Sequence, residues 1–326
     1  MANTSVTDLI ATTLESRTGE LADNVSVHMP ILKRMKQRGN IEITGGTKIY
    51  EELEYAENST TMWYSGYETI EVAPQQIFSA AEYDIRQLVG TITVSGFEDL
   101  TNSGKEQVIP LARRKMQNLE KSLMNQLARG VMGDGTAFSG RQINGLQSFI
   151  STAPTSGTIG GINRANWPFW RNATFGAVAQ GGGAATSSNI RGYMRRLALN
   201  LIRGTDFPDL ISADAAYYNL YADSLTPLQR VEGNDSFGSG FKALKFFEVG
   251  NECDVVFSGN SVGHPPNTMY FLNTQYLRLR PHAKRNMTKI GDTRRPINQD
   301  ATVELVGWAG NMTCSNMALQ GILHAG

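Results

Sequence analysis

The sequence predicts an α+β fold rich in antiparallel strands, on three observations. A long amphipathic helix stands over 103–130, where Ile109, Ala112, Met116, Leu119, Leu123 and Leu127 recur at three- and four-residue steps. Strand-like runs cluster on both sides of it, in "IEITGGTKIYEELEY" and "YETIEVAP" before and in "TMYFLNTQYLRLRP" and "ATVELVGWAGNMTCSN" after. These strands do not alternate with helices as a parallel βαβ sheet requires, and no fixed period of roughly 20 to 50 residues marks a repeat array.

Composition bounds the answer. A chain of 326 residues with 18 % charged and 40 % hydrophobic side chains is an ordinary globular chain, long enough for one large domain or two smaller ones. Lysine plus arginine and aspartate plus glutamate stand at 30 each, so bulk charge gives no global attraction to nucleic acid or to an anionic membrane. The N-terminus "MANTSVTDLIATTLESRTGE" has neither a basic nor an apolar leader segment, and no run approaches the ~18 apolar residues of a membrane span. A soluble protein made in a cytoplasm is expected.

The elements follow in order. Residues 1–44 read as an arm, with a short amphipathic helix over 8–15 and a helical turn through "ILKRMKQRGN", which Gly39 and Asn40 stop. A hairpin follows, each limb long enough for about a dozen residues or roughly 40 Å. Its tip "AENSTTMWYSG" carries Met62, Trp63 and Tyr64, with Tyr67 just beyond. A two-stranded ribbon of that length is not stable alone. Either it folds back on its own core or it docks on a neighbouring subunit.

"GTITVSG" is the next strand. Ser103 and Glu106 make a capping box for the long helix, Gly130 is its stop, and Pro110 is expected to kink it or to delay its start. The opposite face carries Arg113, Arg114, Gln117, Glu120, Lys121 and Asn125. Gly133, Asp134 and Gly135 follow a helix instead of preceding one, so they read as a turn and not as a phosphate cradle. A loop-rich connector leads to a helix over 188–203, then a strand entering a helix at Asp214, then mostly strand to the C-terminus.

One stretch invites a catalytic reading. Gly259, Asn260, Ser261, Val262 and Gly263 match the G-x-S-x-G pattern of a nucleophile elbow, which needs a strand before the serine and a helix after it. The strand is present in Asp254, Val255, Val256 and Phe257, but Pro265 and Pro266 block the helix. Ser261 therefore reads as a serine in a glycine-rich turn, with a serine hydrolase as the alternative. Cys253 and Cys314 lack zinc-ligand spacing, so no metal site and no cofactor are expected. The basic run over 278–295 lacks the interleaved aromatics that would stack on bases.

Taken together, "LEYAENSTTMWYSGYE", "VSGFEDLTNSGKE", "GDGT" with "INGLQ", "WPFWRN", "RGTDFPDLISADAAYYNLY", "MYFLNTQYLRLRPH" and "LVGWAGNMTCSN" resemble stretches of the major capsid proteins of tailed bacteriophages. The order of elements is similar to their Hong Kong 97-type fold. The resemblance spans nearly the whole chain and rests on the number and order of these stretches, none of which is a catalytic signature.

The resemblance implies a division into an N-terminal arm (1–44), an extended hairpin loop (45–88), a peripheral domain with a spine helix (89–185), an axial domain (186–268), peripheral return strands (269–315) and a last strand rejoining the axial domain (316–326). It implies no enzyme. It implies a virion protein that assembles in a bacterial cytoplasm, as hexamers and pentamers, into an icosahedral shell around double-stranded DNA. The implied partners are further copies of the chain, a portal protein, a separate scaffolding protein, a decoration protein, and weak non-specific contact with packaged DNA. No membrane contact is implied.

Some relatives cross-link a hairpin lysine to a neighbour's asparagine; the hairpin's one lysine, Lys48, lies at its base, and no such cross-link is expected. The outgoing limb is acidic at Glu51, Glu52, Glu54 and Glu57, while basic residues gather at Arg278, Arg280 and Arg285. The expectation is that the acidic limb lies over the basic surface of the adjacent subunit, with Trp63 and Tyr64 also in contact, unless both runs are merely solvated faces.

Overall fold

The arm ends as a helix seated in the chain's own core. The computed structural model describes residues 29–101, 105–225, 244–247, 252–259 and 262–326. In α1 (Pro30–Gln37), proline occupies the first turn, where its missing N–H costs nothing. Ile31, Leu32 and Met35 share one buried face. An arm stands apart from its own core only where another chain covers it; this end is covered within the chain. Polar contacts fix it further. Arg34 pairs with Asp254 and lies 3.6 Å from Asp209, which Arg38 approaches at 3.4 Å.

The hairpin is shorter than its sequence allows. β1 (Lys48–Glu54) and β2 (Phe78–Asp84) pair antiparallel from Lys48 opposite Asp84 to Glu54 opposite Phe78. Each limb is thus 7 residues and not a dozen. Alternation along β1 turns Ile49, Glu51 and Leu53 inward, and Ala81 and Tyr83 do the same on β2.

β3 (Arg86–Ser95) leads into α2 (Gly96–Thr101) and α3 (Lys105–Met132). The capping box described here belongs to α2: the Glu98 N–H donates to Ser95 Oγ at 3.1 Å and the Ser95 N–H to Glu98 Oε2 at 3.3 Å. The box expected at Ser103 lies outside the described residues. α3 runs through Pro110 and past the expected stop at Gly130, two residues further to Met132. Gly130 serves close packing instead, since a Cβ there would come within 2.8 Å of Ile143. Met116, Leu123 and Leu127 are buried as their spacing predicts, and so is Glu120, expected on the outer face.

After two short turns at Ala137–Gly140 and Leu146–Phe149, the small hairpin β4 (Thr158–Ile159) with β5 (Ile162–Asn163) leads to β6 (Ala173–Gly176). Then follow α4 (Ile190–Asn200), β7 (Leu210–Ala213), α5 (Ala215–Ser224), β8 (Leu244–Phe246), β9 (Cys253–Phe257), β10 (Thr268–Leu272), β11 (Leu277–Pro281), β12 (Thr288–Lys289), β13 (Ala301–Cys314) and β14 (Gly321–His324). Asp214 caps α5 as expected, accepting from the Tyr217 N–H at 3.0 Å.

Two sheets organise these strands. β13 joins β3 along one edge and β11 and β12 along the other, with α3 packed on β3. The larger sheet has the order β6-β14-β10-β7-β9-β8. Its two faces bury different cores. Met269, Phe271, Ile211, Val255 and Leu323 face α4 and α5, whereas Tyr270, Leu272, Leu210, Val256 and Ile322 join the core of α1, α3 and the hairpin root. Strands β6 and β10 belong to this sheet, so the divisions drawn from the resemblance at 185/186 and 268/269 do not follow the strand pairing. Arg86, Gln87 and Leu88, counted with the hairpin in that division, pair in β3 with Gly310, Ala309 and Trp308 of β13.

Candidate assembly surface

The hairpin root is fixed to its own chain by chemistry on both sides. Glu51, at 4 % exposure, lies 2.8 Å from Arg280 Nη2 and accepts a hydrogen bond of 2.6 Å from the Thr313 hydroxyl. Arg280 also approaches Glu42 at 3.3 Å, and Arg278 approaches the same carboxylate at 3.2 Å. Further along the limb, Tyr55 stacks on Phe169 at 5.5 Å and meets Trp167 edge-on at 5.5 Å. At the base, the Lys48 ammonium donates to Glu82 at 2.7 Å, and that hydrogen bond raises its pKa.

The acidic limb and the basic strand meet within one molecule. Glu52, Glu54 and Glu57 line an open groove of about 830 Å³ together with Arg203, Arg278 and Arg280. Glu51 and Arg280 were expected to meet across subunits; here they are an intrachain pair. Strand alternation was the available signal, because Ile49, Glu51 and Leu53 are spaced for one face. Glu42, Asp209 and Asp254, which complete the ionic anchors, carry no motif and were missed. Arg285 donates to Gln87 at 2.6 Å.

Beyond Tyr55 the hairpin stands in solvent. Trp63 and Tyr67 are fully exposed at 101 % and 107 %, and Met62, Tyr64, Ile70 and Val72 are exposed as well. Bonds inside the segment shape it: Ser59 donates to Gln75 at 2.9 Å, and the Ser65 N–H to Glu68 at 3.0 Å. A cluster of bare aromatics on a projecting loop is the usual mark of an interaction surface.

Nothing described supports an elbow at Ser261, which itself lies outside the described residues. His264 and Pro265 have no helical structure, and Pro266 and Asn267 form a turn into β10. His264 Nδ1 and Nε2 lie 3.0 Å and 3.2 Å from the carbonyl oxygens of Pro265 and Ser212. Burial pushes the Cys253 and Cys314 thiols up to about 12, so neither is a poised nucleophile. Among the described residues no cluster of His, Cys, Asp or Glu could hold a metal ion, and no helix is long and apolar enough to cross a membrane.

No family model and no curated protein matches the chain by sequence. Solved structures do match by shape. The capsid protein in the asymmetric unit of cyanophage A-1(L) is 14 % identical with a TM-score of 0.62, over 88 % of this chain and 90 % of that one. The satellite phage P4 procapsid, solved with its size determination protein, gives 12 % identity and a TM-score of 0.53 over 95 % and 99 %. The capsid of a native GTA particle gives 11 % and 0.54 over 89 % of each chain. A spine helix laid on a strand-rich domain, a separate six-stranded sheet and a projecting hairpin thus define the fold of phage shell subunits. In particular, the chain has the Hong Kong 97-type fold of tailed-phage major capsid proteins.

Proposed function

We propose that the chain is a viral major capsid protein, a structural subunit and not an enzyme, whose copies assemble into hexamers and pentamers of an icosahedral shell around double-stranded DNA. One observation carries the reading beyond fold likeness: among the described residues, ring contacts anchor the hairpin as far as Tyr55, and its outer half presents Trp63, Tyr64 and Tyr67 to solvent. Burying such side chains on a second copy offsets the entropy lost in ordering the loop.

Within this reading, Glu52, Glu54, Glu57, Trp63, Tyr64, Arg278 and Arg285 are the inter-subunit contacts, while Glu51 and Arg280 set the angle of the hairpin. A portal protein, a separate scaffolding or size-determining protein and a decoration protein are the partners, as the size determination protein is for the P4 procapsid. The virion is the final location and the bacterial cytoplasm the place of assembly.

Electron microscopy of the purified Glu52→Lys/Glu54→Lys variant tests the charge contribution. Reduced or aberrant particles from a normally folded subunit are expected; normal shells would remove these glutamates from the interface.

A further inference from the structure

The contacts that anchor the arm and those that anchor the hairpin root lie on one continuous segment. At one end, Asp209 just before β7 and Asp254 on β9 are each 6 % exposed, although both are carboxylates. Charges this buried need partners. Asp209 accepts from the Thr274 N–H at 2.7 Å and from its hydroxyl at 2.8 Å, and Lys245 on β8 approaches Asp254 at 3.7 Å. Arg34 and Arg38 of the arm complete the set.

From there the chain is tied residue by residue toward the hairpin. Gly39, at a φ of 74°, turns the chain out of α1 with its N–H on the Lys36 carbonyl, and the Asn40 N–H donates to the Met35 carbonyl. The Asn40 side chain donates to the Thr274 carbonyl at 2.5 Å. Residues 40–44 then lie against β11. The Leu279 N–H donates to the Asn40 carbonyl at 3.0 Å, and the N–H groups of Glu42 and Thr44 donate to Leu279 and Pro281 at 3.0 Å and 2.9 Å. Glu42 meets Arg278 and Arg280, and Arg280 reaches Glu51 of β1.

We propose that residues 30–44 form a strap that couples the hairpin root to the ends of β7 and β9, so that loosening either end loosens the other. Ties arranged in series transmit a displacement, independent ties do not, and a coupling of this kind acts equally in both directions. The device resides in the single chain and requires no second copy.

Amide hydrogen exchange, followed by mass spectrometry on the full chain, tests the coupling. Asp254→Asn keeps the size of the side chain and removes the charge that faces Arg34. None of the described contacts of Asp254 lies in the hairpin, yet exchange in β1 and β2 is expected to quicken about fivefold relative to α3. Glu42→Gln tests the reverse direction from a half-buried site and does not depend on the fold tolerating Asp254→Asn. It is expected to quicken exchange around Asp209 and Asp254 to a similar degree. In the double variant the hairpin should exchange no faster than in the faster single variant, because either break already opens the series. Glu98→Gln breaks the pair with Lys115 at 2.6 Å, off the strap, and should leave the hairpin unchanged. Effects confined to the element that carries each substitution, single effects that multiply in the double variant, or equal quickening in Glu98→Gln would each overturn the strap.

Discussion

Replacing Glu51 by glutamine removes the carboxylate that Arg280 faces at 2.8 Å and leaves Glu42 at 3.3 Å as its partner. Breaking a fully buried pair costs about 3–5 kcal/mol; with Glu42 retained, a loss of about 2 kcal/mol in urea unfolding is expected. Glu52→Lys, at an exposed position on the same strand, is expected to stay within about 0.5 kcal/mol of wild type. Equal effects of the two substitutions would mean that the Glu51 pair does not hold the root. The thiols give a test with a defined sign. Unfolded Cys253 and Cys314 ionise near the ordinary ~8.5, but the folded thiols not until about 12. The folded state therefore loses stability as pH rises above ~8.5, and neither thiol should react with a disulfide reagent at pH 8 until the chain unfolds. Asp134 has the reverse sign, because hydrogen bonds from the Thr136 N–H and hydroxyl lower its pKa. Its contribution is present at neutral pH, falls away in acid as pH drops through the lowered value, and should vanish from the acid limb of a stability profile in Asp134→Ala.

At the scale of elements, two glycines should respond oppositely to alanine. A Cβ on Gly145 would collide with the backbone carbonyls of Gly130, Val131 and Gly133 at the end of α3, and backbone cannot rotate aside as a side chain can. Gly145→Ala is expected to cost about 3 kcal/mol by thermal or urea melting. Gly192 sits inside α4 with nothing within 4 Å of its Cβ position, so Gly192→Ala should stabilise by about 0.5–1 kcal/mol. These contrasts explain what sequence could convey. The long helix, the cap at Asp214 and the strands β9, β10, β11, β13 and β14 were legible because each follows from local periodicity or a local hydrogen bond. Gly130 was misread as a stop because its reason is a contact with Ile143, thirteen positions away. The box at Ser95 and Glu98 was hidden inside a strand-like run. The partners of Arg34 and Arg280 are long-range, and no period announces them.

For the whole molecule, the same limit decides how the hairpin and the arm are read. Composition marks apolar side chains in the arm's helical turn and at the hairpin tip alike, and it could not say that Ile31, Leu32 and Met35 are covered within the chain while Trp63 and Tyr67 stay bare. The fold resolves that difference: ionic and aromatic anchors hold the hairpin root, and the outer half stands exposed. The candidate site was thus half legible, its aromatic tip from composition and its anchors only from the three-dimensional contacts. The most direct test of self-assembly is electron microscopy combined with size-exclusion light scattering on the purified chain across salt and protein concentration. Hexameric rings or closed shells, lost on Trp63→Ala/Tyr67→Ala in a subunit that still melts cooperatively, are the expected result. A chain that remains monomeric in every condition would contradict it.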